Sequence, residues 1–329
     1  MIHDDPEFRA LRRYAEAIGN DPSLVQAAGG NVSLKRDGVL WVKASGTWLA
    51  NARRQDIFVP VRLPELLAAM HAAAAEDTAP FVIAERNPSG LRPAIEATLH
   101  GVLPHPVVVH VHCVETIAWA CRADAKAALA PLLAGLRWAF VPYVRPSAPL
   151  TRAILDVIAP DTDVLVLGNH GLVAGGADTA SAGALIAEVA RRLRRTQRAA
   201  PAPDFSALDA AAGADYVPAG DAAAHGTATD PVSLKVAMLG SLYPDHVIFL
   251  GPGIVTVPAS RPAPLLVVPG AGVLLRRDAS AGVAPLARCL ADVCARLDPA
   301  EPLVALTAAQ DAELLGWDAE KYRQALSAR

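Results

Sequence analysis

The sequence predicts an α/β fold, and three observations carry that expectation. Short valine- and leucine-rich runs such as VVVHVH and DVLVLG have the length and composition of buried strands. Segments with helical apolar spacing stand between them, frequent enough to cover a sheet. Hydrophobic residues make up 53% of the 329 residues and charged residues 19%, enough for packed layers and against disorder.

The elements follow in order. PEFRALRRYAEAI (6–18) places Phe8, Leu11, Tyr14, Ala15 and Ile18 on one helical face. VSLK and VLWVKA read as two strands joined by the turn RDG. LPELLAAMHAAAAE (63–76) predicts a helix, and so does RPAIEATLHGVL (92–103), with Pro93 suited to its first turn. The VVVHVH strand comes next, then a helix over ETIAWACRAD. DTDVLVLGNHG (161–171) predicts a buried strand ending in a glycine turn, and residues 179–200 a long helix. Composition then shifts to Ala, Pro, Gly and Asp, the signature of a connector. Beyond it HVIFLG, GIVTVPA and PLLVVPGAGVLLRR predict strands, and APLARCLADVCARL and AEKYRQAL predict helices. The division expected is a first domain over 1–200, a linker over 201–225 and a smaller α/β unit over 226–329 of unassigned role.

The bulk numbers exclude several classes. A formal net charge of -3 gives no bias toward nucleic acid or an anionic membrane. Cys113, Cys121, Cys289 and Cys294 form no CxxC pair and suggest no disulfide framework. MIHDDPEFRA does not read as a secretory signal, and no apolar run has the length of a membrane span. The expected setting is a reducing cytoplasm. No GxGxxG follows a strand, so no nicotinamide cofactor is expected, and no P-loop or GxSxG elbow is present.

The chemistry concentrates in VVVHVHCVE (107–115). Residues two apart in a strand share a face at roughly 6.5–7 Å. His110 and His112 therefore project together, and Val109, Val111 and Cys113 project the other way. Two imidazoles can share a metal ion at about 2.0–2.1 Å, or can be two separate hydrogen-bonded core histidines. LGNHGLVAGG offers a third imidazole, His170, at a strand end, where sites of such sheets gather. Three protein ligands leave an open position, as in catalytic rather than structural sites. Glu96, one helix before the HxH strand, could ligate a cation or move protons; a surface glutamate is the plain alternative. His100, four residues on, reads as a supporting residue rather than a ligand.

In this order GGNVSLK, VLWVKASG, RPAIEATLHGVLPHPVVVHVH and LVLGNHGLVAGG resemble the class II aldolase/adducin family over about residues 7–200. The resemblance implies a three-layer α/β/α class II aldolase-like domain, commonly assembled as a ring-shaped tetramer. It implies metal ligands at His110, His112 and His170 and an acid/base carboxylate at Glu96. Asn31 falls on the family's site-lining Asn, and Lys43, Ser45 and Gly46 fall on the loop that contacts the substrate's phosphate or carboxylate end. The cofactor implied is Zn²⁺, with Mn²⁺ or Co²⁺ as alternatives. The partner implied is a small carbohydrate-like substrate, with no nucleic acid and no membrane, in a homo-oligomer. LWVKASG, PDHVIFLGPG and LLVVPGAGVL are similar to the aldolase half of predicted bifunctional rhamnulose-phosphate aldolase/dehydrogenases, without the dehydrogenase half.

One departure matters. The family's sugar-phosphate aldolases carry serines just before the catalytic carboxylate, where this chain has Ala94 and Ile95. That loss puts a phosphorylated substrate in doubt. Asn31, Ser45, backbone amides, Lys43 or Arg92 could still hold phosphate. The reaction expected is a metal-assisted retro-aldol cleavage through an enediolate, with Glu96 shuttling the proton. A decarboxylase or epimerase on the same site, or a non-catalytic assembly module like the adducin head, are the alternatives. Tyr143, in FVPYVRPS, is available as an acid but reads as structural. RRLRRTQR (191–198) reads as a solvated helix end. Asp245 and His246 could reach a neighbouring subunit's active site, but read as a turn before a strand.

Overall fold

A computed structural model describes residues 2–72, 77–318, 321–322 and 326 of the chain. Seven strands form the main sheet: β1 (Asn31–Arg36), β2 (Val39–Lys43), β3 (Phe58–Arg62), β4 (Val107–Val111), β5 (Trp138–Val141), β6 (Val164–Leu167) and β7 (Gly171–Gly176). Their order is β3-β2-β1-β4-β7-β6-β5. The β5–β6 pair is parallel and the other neighbours are antiparallel. β4, the HxH strand, is therefore central and covered on both faces.

Strand alternation separates those faces. Val107, Val109 and Val111 join a core with the helices Pro6–Gly19 and Thr179–Arg192. Val108 faces the opposite way, against Leu99 of helix Ala97–Val102 and Leu150 and Ile154 of helix Ala148–Leu155. Helix Leu63–His71 covers the β2–β3 end of that second face. The result is the three-layer α/β/α arrangement that the resemblance implied.

A second sheet holds β8 (Tyr216–Pro218), β9 (Val255–Thr256), β10 (Leu265–Val268) and β11 (Gly272–Arg276), in the order β8-β11-β10-β9. Helix Val283–Cys294 packs into one buried cluster with Val114, Ile117 and Ala118 of helix Val114–Ala120. The C-terminal part thus shares a core with the first sheet's outer layer. Arg195–Glu301 at 2.6 Å and Arg296–Glu115 at 2.9 Å add partly buried ion pairs across that contact.

Several elements differ from the sequence expectation. Residues 92–95 are not helical: Pro93 bridges Ala44 and the Ala94 amide donates to the Lys43 carbonyl, so the chain runs beside β2 until Glu96. The helix starts only at Ala97. HVIFLG is not a strand but a π-helical turn, His246–Leu250, buried along its whole length. Residues 205–218, expected as connector, carry helix Phe205–Ala212 and strand β8, because Leu208 and Ala212 bury against β10 and β11. The helix expected over 179–200 stops at Arg192. Its arginines are not a simple solvated face: Arg198 donates to Asp230 at 2.9 Å and to the Leu297 and Cys294 carbonyls. Of the helix expected over 63–76, residues 73–76 lie outside the described residues, as does most of AEKYRQAL.

Candidate metal centre

Pairing geometry assembles the histidines. In the β1–β4 register Asn31 stands opposite His110. In the β6–β7 hairpin Leu167 stands opposite Gly171, so His170 sits in the tight turn just beyond the strand ends. β4 pairs with β7 through Val111 and Leu172, which brings that turn alongside His112. A Cβ on Gly171 would lie 2.5 Å from the Val111 carbonyl oxygen, so only glycine permits this approach. The three ring centroids then lie 5.0, 5.0 and 5.2 Å apart. Each ring offers one ligand atom, and these atoms lie within 4.8 Å of one another. His110, His112 and His170 are all buried.

Glu96 closes the triangle. Because the helix begins one residue later, Glu96 is its N-cap and not part of a helical face. Its Oε2 lies 3.3 Å from His110 Nε2 and its Oε1 3.4 Å from His170 Nε2. The carboxylate is buried, 4% exposed, which removes the reading of Glu96 as a surface residue.

Hydrogen bonds fix the tautomers. The Leu172 carbonyl accepts from His110 Nδ1 at 3.1 Å, so the neutral ring carries its lone pair on Nε2. Asp245 Oδ2 lies 3.1 Å from His112 Nδ1, which likewise leaves His112 Nε2 as a lone pair. Burial pushes the His110 imidazolium pKa down, and pushes His170 down to about 3, so both rings stay neutral. Burial pushes the Glu96 carboxyl up; positive charge at the three histidines, together with the Asn31 amide, outweighs it and takes it down to about 2, so ionised Glu96 goes with a positive charge at the ring cluster. With the His110 proton on Nδ1, its Nε2 lone pair faces the Glu96 carboxylate, and His110 Nε2 and Glu96 Oε1 make no hydrogen bond. A cation bound at the ring nitrogens would satisfy both buried groups and supply the positive charge that keeps Glu96 ionised. Three imidazoles and a carboxylate are a fitting donor set for a divalent transition metal such as zinc.

An outer layer holds the carboxylate. Asn31 Nδ2 donates to Glu96 Oε2 at 3.0 Å, and Asn31 Oδ1 accepts from His100 Nε2. The other ring nitrogen, His100 Nδ1, lies 2.8 Å from Ser33 Oγ. Burial lowers the His100 pKa to about 3, so this ring relays orientation and not charge. His100 is thus the supporting residue the sequence suggested.

The predicted substrate residues are less uniform. Asn31, Lys43, Ser45 and Gly46 all border the cleft beside His112, His170 and Glu96. The Lys43 ammonium donates to the carbonyls of Ala28 at 2.7 Å and Gly30 at 2.9 Å, so it braces the GGN turn. The Ser45 hydroxyl is buried and has no hydrogen-bond partner. Gly46 has φ +75°. Tyr143 does not border the cleft; its ring packs against the C-terminal core.

Sequence reasoning underrated Asp245. It belongs to the C-terminal part, is 1% exposed and reaches His112 of its own chain. Gly29 makes room: a Cβ there would lie 2.8 Å from His112 Nδ1 and 2.9 Å from Asp245 Oδ2. Nothing local in YPDHVIFL signals this, since the partner is 133 positions away in the chain.

The model of the Class II Aldolase and Adducin N-terminal domain matches residues 10–196, more than half of the chain. The chain belongs to this family. Over 176 residues it is 31% identical to a Bacillus subtilis protein named "Uncharacterized oxidoreductase YuxG", covering 48% of this chain and 25% of that protein. The chain thus spans a quarter of the length of that relative. Among solved structures, the N-terminal class II aldolase domain of a conserved Thermoplasma acidophilum protein is 25% identical with a TM-score of 0.49, covering 57% of this chain and 92% of that one. L-fuculose-1-phosphate aldolase from Thermus thermophilus is 17% identical with a TM-score of 0.39, covering 57% of this chain and 91% of that one.

Proposed function

We propose that this class II aldolase family member is a zinc-dependent carbon–carbon lyase that cleaves a keto-sugar or a related sugar acid by a retro-aldol step. The observation that carries the reading is the set of three buried imidazoles whose ligand atoms lie within 4.8 Å of one another, with the Glu96 carboxylate 3.3 Å from His110 Nε2. His110, His112 and His170 would hold the cation, and the cleft beside them would admit a chelating substrate. When bound, the cation supplies Lewis-acid stabilisation for the negative charge that develops on the substrate oxygens as the bond breaks.

The chain's own residues do the rest. Glu96 would take the hydroxyl proton of the carbon that becomes the aldehyde and deliver it to the carbon that loses its partner, so that the proton count balances. Ionised in its resting state, it is ready to act as base. Asn31, held by His100, keeps that carboxylate aimed. Asp245 holds the His112 tautomer by accepting from Nδ1. Val108 and Val173, packed in the sheet core around His110, exclude bulk water. Decarboxylation of a β-keto acid would use the same charge stabilisation and is the second reading, favoured by the absence of hydroxyls at Ala94 and Ile95.

The test is a screen of keto-sugars, their phosphates and β-keto acids with zinc-loaded protein, read as aldehyde or CO₂ release. With the substrate found, Glu96→Gln should lower kcat by about 10²–10⁴ in protein that the three imidazoles still load with zinc. A Glu96→Gln protein that turns over at the wild-type rate contradicts the assignment.

A further inference from the structure

Strand β1 carries a polar stripe that extends well past the metal centre. Val32 and Leu34 join the core that holds Phe8 and Leu11. Asn31, Ser33 and Lys35 point the other way, toward helix Ala97–Val102 and its two caps. Asn31 and Ser33 are 5% and 0% exposed, and Lys35 is half-buried. Three polar side chains in a row are unusual on the covered face of an inner strand, where apolar residues ordinarily stand.

Each of the three meets a different level of that helix. Asn31 donates to Glu96, the N-cap, at 3.0 Å. Ser33 Oγ lies 2.8 Å from Nδ1 of His100, in the middle. The Lys35 ammonium donates to the carbonyl of Leu103, the C-cap. The two periods match: residues two apart on a strand rise about 6.6 Å, and residues four apart on a helix rise about 6 Å. One face of β1 therefore holds the helix from end to end.

The helix needs that hold. At six residues it is too short to be stable by itself. Its apolar contacts, such as Leu99 against Val108, favour burial but not one fixed level, because hydrophobic contact is non-directional. Hydrogen bonds are lost when their partners slide by much less than a helical turn.

The stripe also sets polarity. Asn31 spends its amide on the carboxylate, so its Oδ1 takes the proton of His100 Nε2. The ring is neutral, its pKa lowered to about 3 by burial, so Nδ1 is an acceptor. The Ser33 hydroxyl is the donor that Nδ1 receives. Burial lowers the Lys35 pKa to about 7, with no carboxylate among the described residues to offset the loss of water. The terminal carbonyl, at the negative end of the helix dipole, is the partner that holds Lys35 there.

We propose that Ser33 and Lys35 are positioning residues for Glu96: Ser33 sets the His100 tautomer on which the Asn31–Glu96 bond depends, and Lys35 anchors the far end of the helix that Glu96 caps. This rests on the proton-moving role given to Glu96 above.

The His100 ring N–H reports on both residues in zinc-free protein. In proton NMR a buried, hydrogen-bonded imidazole N–H gives a downfield resonance, assigned here by its absence in His100→Gln. Ser33→Ala and Lys35→Met should each speed its exchange with solvent by about tenfold, at a temperature where circular dichroism shows both variants folded. Ser33→Thr and Lys35→Arg, which keep the donors, should restore slow exchange. Lys35→Gln replaces Lys35→Met if the latter does not fold. With a substrate in hand, Ser33→Ala and Lys35→Met should lower kcat by about tenfold and leave KM unchanged. Wild-type exchange in the folded Ser33→Ala and Lys35→Met proteins overturns the proposal, and so does exchange in the conservative variants as fast as in those two. A merely structural role would lower the melting temperature and leave this resonance alone. Failure of the lyase reading would look different: no turnover of any substrate, with the exchange rates as expected.

Discussion

Asp245 shows how a single carboxylate links the two halves of the chain. It stands far in sequence from the three histidines, yet it fixes which nitrogen of His112 faces the cleft. Asp245→Asn keeps the shape and removes the charge that makes His112 a better ligand. Zinc affinity should fall by about 10–100-fold, while the melting temperature of the zinc-free protein changes little. Competition with a chelator measures the first and calorimetry the second. An unchanged zinc affinity would reduce Asp245 to a packing residue. Glu96, His110, His112 and His170 were legible in the sequence because their motifs are local and ordered. Asp245 was not, because its partner is distant in the chain and its own segment looks like a plain turn.

Among the elements, the hairpin turn between β6 and β7 carries most of the positioning. Gly168–His170 has to hold His170 beyond the sheet, and the C-terminal part pins it there. Asn169 sits at φ +49° and its side-chain amide donates to the Leu242 carbonyl at 3.1 Å and the Val304 carbonyl at 2.8 Å. Asn169→Ala removes both bonds and keeps the left-handed backbone on a residue that resists it. The loss should be about 2–3 kcal/mol of stability, with weaker zinc binding alongside. Denaturant titration with and without zinc reads both, and a variant as stable as wild type would show that the turn holds itself. The strands bearing histidines were readable from their valine runs. The start of the helix after Glu96 was not: RPAIEATLH has helical spacing throughout, but Ala94 spends its amide on β2, and that tertiary bond outweighs propensity.

For the whole molecule, the buried histidines set the response to acid. Burial lowers the pKa of His246 to about 4 and that of His100 to about 3, against an ordinary value near 6.5. Below pH 6.5 the unfolded chain binds protons that the folded one refuses, so stability present above that pH is lost progressively as pH falls toward 4. Between pH 6.5 and 5 the carboxylates contribute little, since the depressed Glu96 loses its share only below its ordinary value of 4.5. Urea midpoints of the zinc-free protein should therefore fall steadily from pH 6.5 to 5; a flat profile would mean these rings are charged in the fold. The layered α/β architecture was legible from alternation and composition alone. The division into separate units was less so, because Val114, Ile117 and Ala118 complete a core whose other half begins more than a hundred residues later. Among the described residues no helix is long and apolar enough to cross a membrane. We propose that the C-terminal part serves chiefly to brace the metal centre through Asp245 and Asn169.

The most direct test of the central claim is the divalent metal content and affinity of the purified protein, measured by elemental analysis and chelator competition, beside His110→Ala. One tightly held transition-metal ion per chain is expected, and its loss in the variant. Protein that holds no ion even after zinc is supplied, or a variant that binds as tightly as wild type, would contradict it.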